Sequence, residues 1–326
     1  MSSGMDGGVE VQVSVCMPTY RRPGQLDSAL GAITALEPPP GGFEVVVVDD
    51  GSPDSDGIGA LVESWAARSP VPVRFVANRE NRGPCAARED AWRRARGEWI
   101  AFTDDDCLPR SDWLLQLMSA ADDADVVQGR TQPDPTRAHL LSQPFARSVQ
   151  VDRLNGYYQT CNILYRKSLL DQLDGFDLTF RFSAEDTDLG WRAEAASARI
   201  TFAPDAVVTH EVVVGDWRRD VRGRKRWADV VHMVAKHPGA RRLAWKPYIY
   251  RRSHLPVLLY AVAVLLTMTS RTRRLAALAV VVLAARDVAE AKSPRRAIFV
   301  AQTRIGDAYE ILILLRESIR HRTLLL

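Results

Sequence analysis

From residue 11 to about residue 210, apolar and polar positions fall into blocks that read in turn as strands and helices. Val11–Met17 is a mostly apolar run closed by Pro18 and reads as a first buried strand. Leu26–Leu36 has helical spacing and ends before Pro38-Pro39-Pro40. Phe43–Val48 is rich in β-branched residues, as in strands covered on both faces, and ends in the turn Asp49-Asp50-Gly51-Ser52. A helix over Ile58–Arg68, a strand over Val71–Ala77, a helix over Gly83–Arg96 and a strand over Glu98–Thr103 follow. The next stretch predicts a helix near Ser111–Ala120 with Ser111 as N-cap, a short strand at Val126–Gly129 and another at Thr160–Tyr165. Beyond these come a helix over Ser168–Leu173 and a Gly175-Phe176-Asp177 turn. A helix opened by Ser183-Ala184-Glu185-Asp186-Thr187-Asp188 runs through Trp191 and Arg192. Strand-like Ile200–Phe202 and Ala206–Val208 lead to Thr209-His210.

Alternation at this spacing argues for an α/β fold with a mostly parallel, doubly wound sheet. Such sheets bind ligands at the carboxyl ends of their strands. Two acidic turns fall on that edge: Asp49-Asp50, and Asp104-Asp105-Asp106 after the strand ending in Phe102-Thr103. Three adjacent carboxylates repel one another, so they either lie in a solvated turn or hold a cation. Their hard oxygen ligands suit Mg²⁺ or Mn²⁺, ions that accompany phosphates. A dinucleotide-binding domain wants Gly-x-Gly-x-x-Gly after its first strand, whereas this chain has Pro18-Thr19-Tyr20-Arg21-Arg22-Pro23-Gly24. No Walker-type phosphate loop is present.

The formal net charge of +3 conceals two dissimilar parts. Residues 1–216 carry 20 Lys/Arg against 33 Asp/Glu, and residues 217–326 carry 23 against 7. We therefore expect a domain at 1–216 and a basic helical tail at 217–326. A basic tail suits nucleic acid or an anionic membrane surface. Cys16, Cys85, Cys107 and Cys161 show no paired metal spacing and fit a reduced cytosolic compartment. Met1–Glu10 is polar and glycine-rich, so no signal peptide is expected. Within the tail, Leu255–Thr269 and Leu275–Ala285 are apolar but short of the ~20 residues a perpendicular span needs. Arg251-Arg252, Arg271, Arg273, Arg274 and Arg286 flank them. A shallow hairpin in one leaflet, two short spans, or helices packed on the catalytic domain all fit that pattern, and the basic excess favours membrane association. Ile305–Ile319 has helical periodicity and suits an interfacial helix or one that packs back.

The motifs Met17-Pro18-Thr19-Tyr20, Asp49-Asp50-Gly51-Ser52, Asn81-Arg82-Gly83-Pro84, Phe102-Thr103-Asp104-Asp105-Asp106, Gly175-Phe176-Asp177, Glu185-Asp186 and His210 occur in this order. Together they resemble the family 2 glycosyltransferases, which have the GT-A (nucleotide-diphospho-sugar transferase) fold, a doubly wound mixed sheet. The likeness covers roughly residues 11–212. It implies metal-dependent transfer of a sugar, hexosyl or deoxyhexosyl, from a nucleotide-diphosphate donor to a hydroxyl acceptor with inversion. It further implies that Asp106 reaches Mn²⁺ or Mg²⁺ directly and Asp104 the ribose or the metal shell, with Asp105 pointing elsewhere. Pro18, Thr19 and Tyr20 would line the base; Asp49 and Asp50 would read base and ribose; Arg88 would face the donor. The neighbour of Arg88 is Glu89, where related sequences commonly have asparagine. Asp186 would be the base, with Glu185 as the runner-up for that role or as the group that orients the acceptor, and His210 would coordinate the metal or contact the diphosphate. Processive members carry Gln-x-x-Arg-Trp; here Gly223 precedes Arg226-Trp227, which favours single-sugar transfer. The expected partners are a nucleotide-sugar donor, a glycan or lipid-linked acceptor and a membrane surface rather than nucleic acid. The expected setting is cell-envelope or lipid-linked glycan synthesis at the cytoplasmic face of the plasma membrane. The rival readings are a Mg-dependent nucleotidyltransferase or phosphatase and a non-catalytic sugar-nucleotide-binding membrane scaffold.

Overall fold

A computed structural model describes residues 11–268, 271–291 and 293–326. The expectation drawn from Met1–Glu10, and the last residue of the apolar run ending at Thr269, lie outside these residues. The chain divides into two compact units, residues 1–142 with 146–213, and residues 143–145 with 214–326.

The first unit is built on an eight-stranded sheet. Its strands are β1 (Val13–Thr19), β2 (Phe43–Asp49), β3 (Val73–Ala77), β4 (Trp99–Thr103), β5 (Cys107–Pro109), β6 (Val126–Pro133), β7 (Asn162–Arg166) and β8 (Ile200–His210). Their spatial order is β3-β2-β1-β4-β7-β6-β8-β5. The β3-β2-β1-β4 half is parallel, and β7 runs antiparallel to both its neighbours. The sheet is thus mixed and covered on both faces. Because side chains alternate along a strand, each one feeds two apolar layers. Val13, Val15 and Met17 of β1 join Val45 and Val47 of β2 on one face, where Leu26, Leu30, Ile58 and Leu114 cover them. Cys16, Val46, Val48, Ile100 and Phe102 lie on the other, under Ala87, Ala91, Trp92 and Leu189.

The covering helices are α1 (Pro23–Thr34), α2 (Ser55–Arg68), α3 (Pro84–Arg94), α4 (Trp113–Ser119), α5 (Lys167–Gln172) and α6 (Glu185–Ala195). In α1, Leu26, Ala29, Leu30 and Ile33 recur at helical spacing and are fully buried. Three local expectations are corrected. Pro18 does not end β1, which runs on to Thr19: pairing with β4 has already stopped at Cys16, so the missing N–H costs the sheet nothing there. The N-cap of α4 is Asp112, while Ser111 donates its hydroxyl to Glu37. The two segments read near residue 204 form one strand, β8, whose register against β6 jumps from Gly129↔Ala203 to Arg130↔Val207. Buried Asn162 fills that bulge, its Nδ2 donating to the carbonyls of Arg130 (2.8 Å) and Ala206 (2.9 Å).

The second unit holds α7 (Trp217–Gly223), α8 (Ala228–Lys236), α9 (His254–Thr267), α10 (Arg273–Ala291) and α11 (Pro294–Arg320). An ion cluster ties it together. Arg224 Nη1 donates to Asp307 (2.7 Å) and Glu310 (2.9 Å), both nearly inaccessible, and Arg251 Nε lies 3.0 Å from Glu310. Gly306 leaves room for the Arg224 guanidinium, which a Cβ there would overlap. Ile311 and Leu314 of α11 are buried, so one face of the expected Ile305–Ile319 helix joins this unit's core, while Ile305, Leu312 and Ile319 are exposed. Among the described residues, no helix is long and apolar enough to cross a membrane.

Candidate active site

β1, β2 and β4 end side by side, which brings Thr19, Asp49-Asp50 and Asp104–Asp106 to one edge of the sheet. Each acid of the triple turn then meets its own partner. Asp104 Oδ1 accepts from Arg88 Nη2 at 2.6 Å. Asp105 turns inward, accepting from Thr19 Oγ1 (2.8 Å) and Arg22 Nη1 (3.0 Å). Burial pushes Asp105 up to about 6, against the pull of Arg22. Asp106 Oδ2 accepts from Arg22 Nη1 at 2.7 Å, while its Oδ1 lies 3.6 Å from His210 Nε2.

The imidazole is held from behind. His210 Nδ1 donates to the Glu211 carbonyl (2.9 Å) and has Ser148 Oγ at 3.3 Å; that hydroxyl donates to the His210 carbonyl (3.1 Å). With the proton on Nδ1, Nε2 turns a lone pair towards the Asp106 carboxylate. Two lone pairs facing each other repel unless a proton or a metal ion sits between them. A carboxylate oxygen and a backbone-anchored imidazole therefore fit a divalent ion of the Mn²⁺ type. Cys107 Sγ is close as well, but its side chain belongs to the buried core. A cleft of about 390 Å³ opens beside Asp106, lined among others by Gln25, Ser28, Leu108, Arg137 and Thr209.

Arg88 joins the acidic turn to the start of α6. Its Nη1 donates to Glu185 Oε1 (2.7 Å) as Nη2 donates to Asp104, and both Arg88 and Glu185 are buried. Both terminal nitrogens of the guanidinium bond carboxylates, so Arg88 ties the acidic turn to α6 at the edge where the sequence reading has it face the donor. Glu89 turns away from that edge. Its carboxylate takes the Trp92 indole N–H (2.5 Å) and the Phe176 amide (2.9 Å), and a Cβ on Gly175 would strike it. The Gly175-Phe176 motif thus braces α3.

Asp186 follows at the first turn of α6. The residue before the helix is Ala184, at φ 69°, so Ala184 and not Ser183 occupies the N-cap. A non-glycine residue held at positive φ is the sort of strain that gathers at functional sites. Asp186 Oδ1 accepts from the Thr187 amide (2.7 Å) and hydroxyl (3.2 Å). Burial first, then the charge of Glu185, raises Asp186 to about 7, while Arg88 acts in the opposite sense. A carboxyl balanced near neutrality is suited to taking a proton.

The remaining expected residues shape the loops. Asp49, fully buried, accepts from the Ser52 hydroxyl (2.5 Å) and amide (3.1 Å). Asp50 accepts the amides of Arg82 (3.0 Å) and Gly83 (2.8 Å), and burial raises it above the ordinary carboxylate range. Gly83 stands at φ 95°, where a Cβ would collide with the Arg181 carbonyl, so only glycine lets this amide reach Asp50. Pro18 pairs with Val48 inside β1, and Tyr20 carries the Arg21 guanidinium 5.0 Å above its ring. The sequence reading missed Arg22, Ser148 and the bracing role of Glu89. Arg22 had a local signal, since it shares a loop with Thr19 and Tyr20; Ser148 had none.

Residues 14–186 match the model of glycosyl transferase family 2, just over half the chain. The chain belongs to glycosyl transferase family 2. It is 29% identical over 195 residues to a pre-mycofactocin glycosyltransferase of Mycobacterium tuberculosis, covering 54% of this chain and 39% of that protein. It is 30% identical over 221 residues to the succinoglycan biosynthesis protein ExoM of Rhizobium meliloti, covering 63% and 67%. The chain thus spans between about two fifths and two thirds of the length of these relatives. The fold resembles that of the mannosyltransferase PcManGT from Pyrobaculum calidifontis in complex with GDP-Man and Mn²⁺, with a TM-score of 0.63 at 22% identity over 94% of this chain and 86% of that one. It also resembles Staphylococcus aureus TarS 1–349 in complex with UDP, with a TM-score of 0.51 at 21% identity over 96% and 92%. These likenesses identify the GT-A fold. In this family 2 member Arg88 links the acidic turn to the start of α6.

Proposed function

We propose that this chain transfers a single hexosyl or deoxyhexosyl group from a nucleotide-diphosphate donor to a hydroxyl acceptor, with inversion. The observation that carries the reading is Arg88 bridging Asp104 and Glu185, because it draws the acidic turn and the Glu185-Asp186 pair to one centre. Asp186 takes the proton of the acceptor hydroxyl as its oxygen bonds to the anomeric carbon. The bond from that carbon to the β-phosphate oxygen breaks, and its electron pair leaves with the nucleoside diphosphate. Glu185, held by Arg88, orients the acceptor. Asp106 and His210, with Asp104 beside them, would hold Mn²⁺ or Mg²⁺, whose charge neutralises the developing diphosphate. Thr19, Tyr20, Asp49 and Asp50 form the wall for base and ribose. The acceptor is a lipid-linked or cell-envelope glycan met at the cytoplasmic face of the plasma membrane. The succinoglycan biosynthesis role of the ExoM relative supports a glycan setting.

Calorimetric titration of UDP-, GDP- and dTDP-sugars with and without Mn²⁺ tests the donor side. One nucleotide class should bind, and only with the ion. Metal-independent binding would contradict the proposed metal site, and a preference for nucleoside triphosphates with diphosphate release would favour a nucleotidyltransferase instead.

A further inference from the structure

The second unit carries an apolar surface that the transfer reaction does not use. In α10, the residues turned into the unit recur at helical spacing: Ala276 and Ala291 are buried, and Val280, Leu283 and Asp287 are partly so. An ordinary surface helix would be polar everywhere else. Here the exposed face holds Leu275 (74% exposed), Leu278, Val281 (62%), Val282 and Val288. Helix α9 adds Val262, Leu265 (63%), Leu266 and the following Met268 (81%). So many exposed apolar side chains on two neighbouring helices mark an interaction site. The charges beside it share one sign. Between His254 and Arg286 there is no Asp or Glu, whereas Arg271, Arg273, Arg274 and Arg286 are all exposed. Asp287, the first acid after them, is paired with Arg304.

We infer that the α9–α10 pair is a monotopic docking element that lies flat in the headgroup region of an anionic phospholipid leaflet. Charge selects the partner, because a cationic rim around an apolar face complements anionic headgroups above acyl chains. Length selects the mode. Helix α9 has 14 residues and α10 has 19, about 21 Å and 28 Å at 1.5 Å per residue, against a hydrocarbon core of about 30 Å. Arginines bound both apolar runs at both ends, at Arg251-Arg252 and Arg271, then at Arg273-Arg274 and Arg286. A run that short reaches the headgroups with both ends only by lying parallel to the surface. The shallow arrangement, one of those open from sequence, suits both facts: α9 and α10 keep exposed apolar side chains, and no described helix is long and apolar enough to cross a membrane. The inference deepens the membrane-surface part of the proposed function and needs no catalytic step.

Co-sedimentation of the full chain with phosphatidylcholine vesicles, with and without about a third phosphatidylglycerol, tests it. Binding should require the anionic lipid and weaken with salt. Leu278→Asp with Val282→Asp should lower partitioning about tenfold or more. Arg273→Glu with Arg274→Glu should remove the preference for anionic vesicles. All four positions are exposed, so the variants should keep wild-type circular dichroism and Mn²⁺-dependent donor titration. That titration separates failure of docking from failure of the proposed transfer. Because the native cysteines are buried, Leu278→Cys takes a fluorophore selectively. Quenching by headgroup-proximal lipid should exceed quenching by chain-terminal quencher. Strongest quenching from the chain ends would overturn the flat arrangement. Failure of the wild type to bind anionic vesicles, with a dimer in the ultracentrifuge that Leu278→Asp dissociates, would overturn docking in favour of a second copy.

Discussion

Replacing Asp186 by Asn should stabilise the protein at alkaline pH while ending turnover, and the size of the stabilisation follows from the site. Burial and the Glu185 charge move this carboxyl from an ordinary 3.8 up to about 7. At 1.36 kcal/mol per tenfold, a displacement of that order costs the ionised form up to about 4 kcal/mol. Asp186 keeps some solvent contact and shares its electrostatics with Glu185, so about 2–4 kcal/mol is the expected range. The sign is unusual for a carboxylate. Between about pH 4 and 7 the folded protein retains a proton that the unfolded chain has lost, so stability falls as pH rises through that window. Below it the penalty is absent; above it the penalty is complete. Urea midpoints of wild type and Asp186→Asn should therefore nearly coincide at pH 4 and diverge at pH 8, with the variant more stable. In the wild type, turnover should rise as Asp186 loses its proton near pH 7 and level off above. A stability difference that does not change with pH would refute the assignment of a buried, raised Asp186.

Other expectations follow from single contacts. Arg88→Met removes the cation that pairs with buried Glu185 and should cost about 3–5 kcal/mol in urea unfolding, with loss of transfer. Wild-type stability in that variant would show that the bridge does not form. Asn162→Ala removes the donors that satisfy Arg130 and Ala206 and the acceptor of the Trp113 indole (2.8 Å). It should cost about 3 kcal/mol, chiefly through stranded buried groups, again read from urea midpoints. His210→Ala should weaken Mn²⁺ binding more than Ser148→Ala, and the latter by about tenfold, in calorimetric titration. Equal affinities in all three proteins would remove His210 from the metal site.

Much of the fold was legible because its signals are local. The β-branched run in Phe43–Val48, buried on both faces, and the helical spacing in Leu26–Ile33 record burial directly in residue order. The acidic turns were equally plain, since strand ends define the binding edge of such a sheet. Pairings between distant segments were not legible. Nothing in the order of residues joins Arg88 to Glu185, 97 positions apart, or Asn162 to Ala206 across a bulge. The bulge itself looked like a break between two strands because Pro204-Asp205 carries no strand signal. Glu89 illustrates the same limit. Its departure from the residue common in related sequences drew attention to donor contact, yet its carboxylate braces the Gly175-Phe176 turn.

The central claim is that Asp186 deprotonates the acceptor at a site otherwise complete for donor binding. The most direct test pairs two readings on Asp186→Asn: Mn²⁺-dependent affinity for the nucleotide sugar that the wild type binds, and nucleoside diphosphate release in the presence of acceptor extract. The account predicts near-unchanged affinity and release reduced by about a thousandfold or more. Near-normal release from the variant would contradict it.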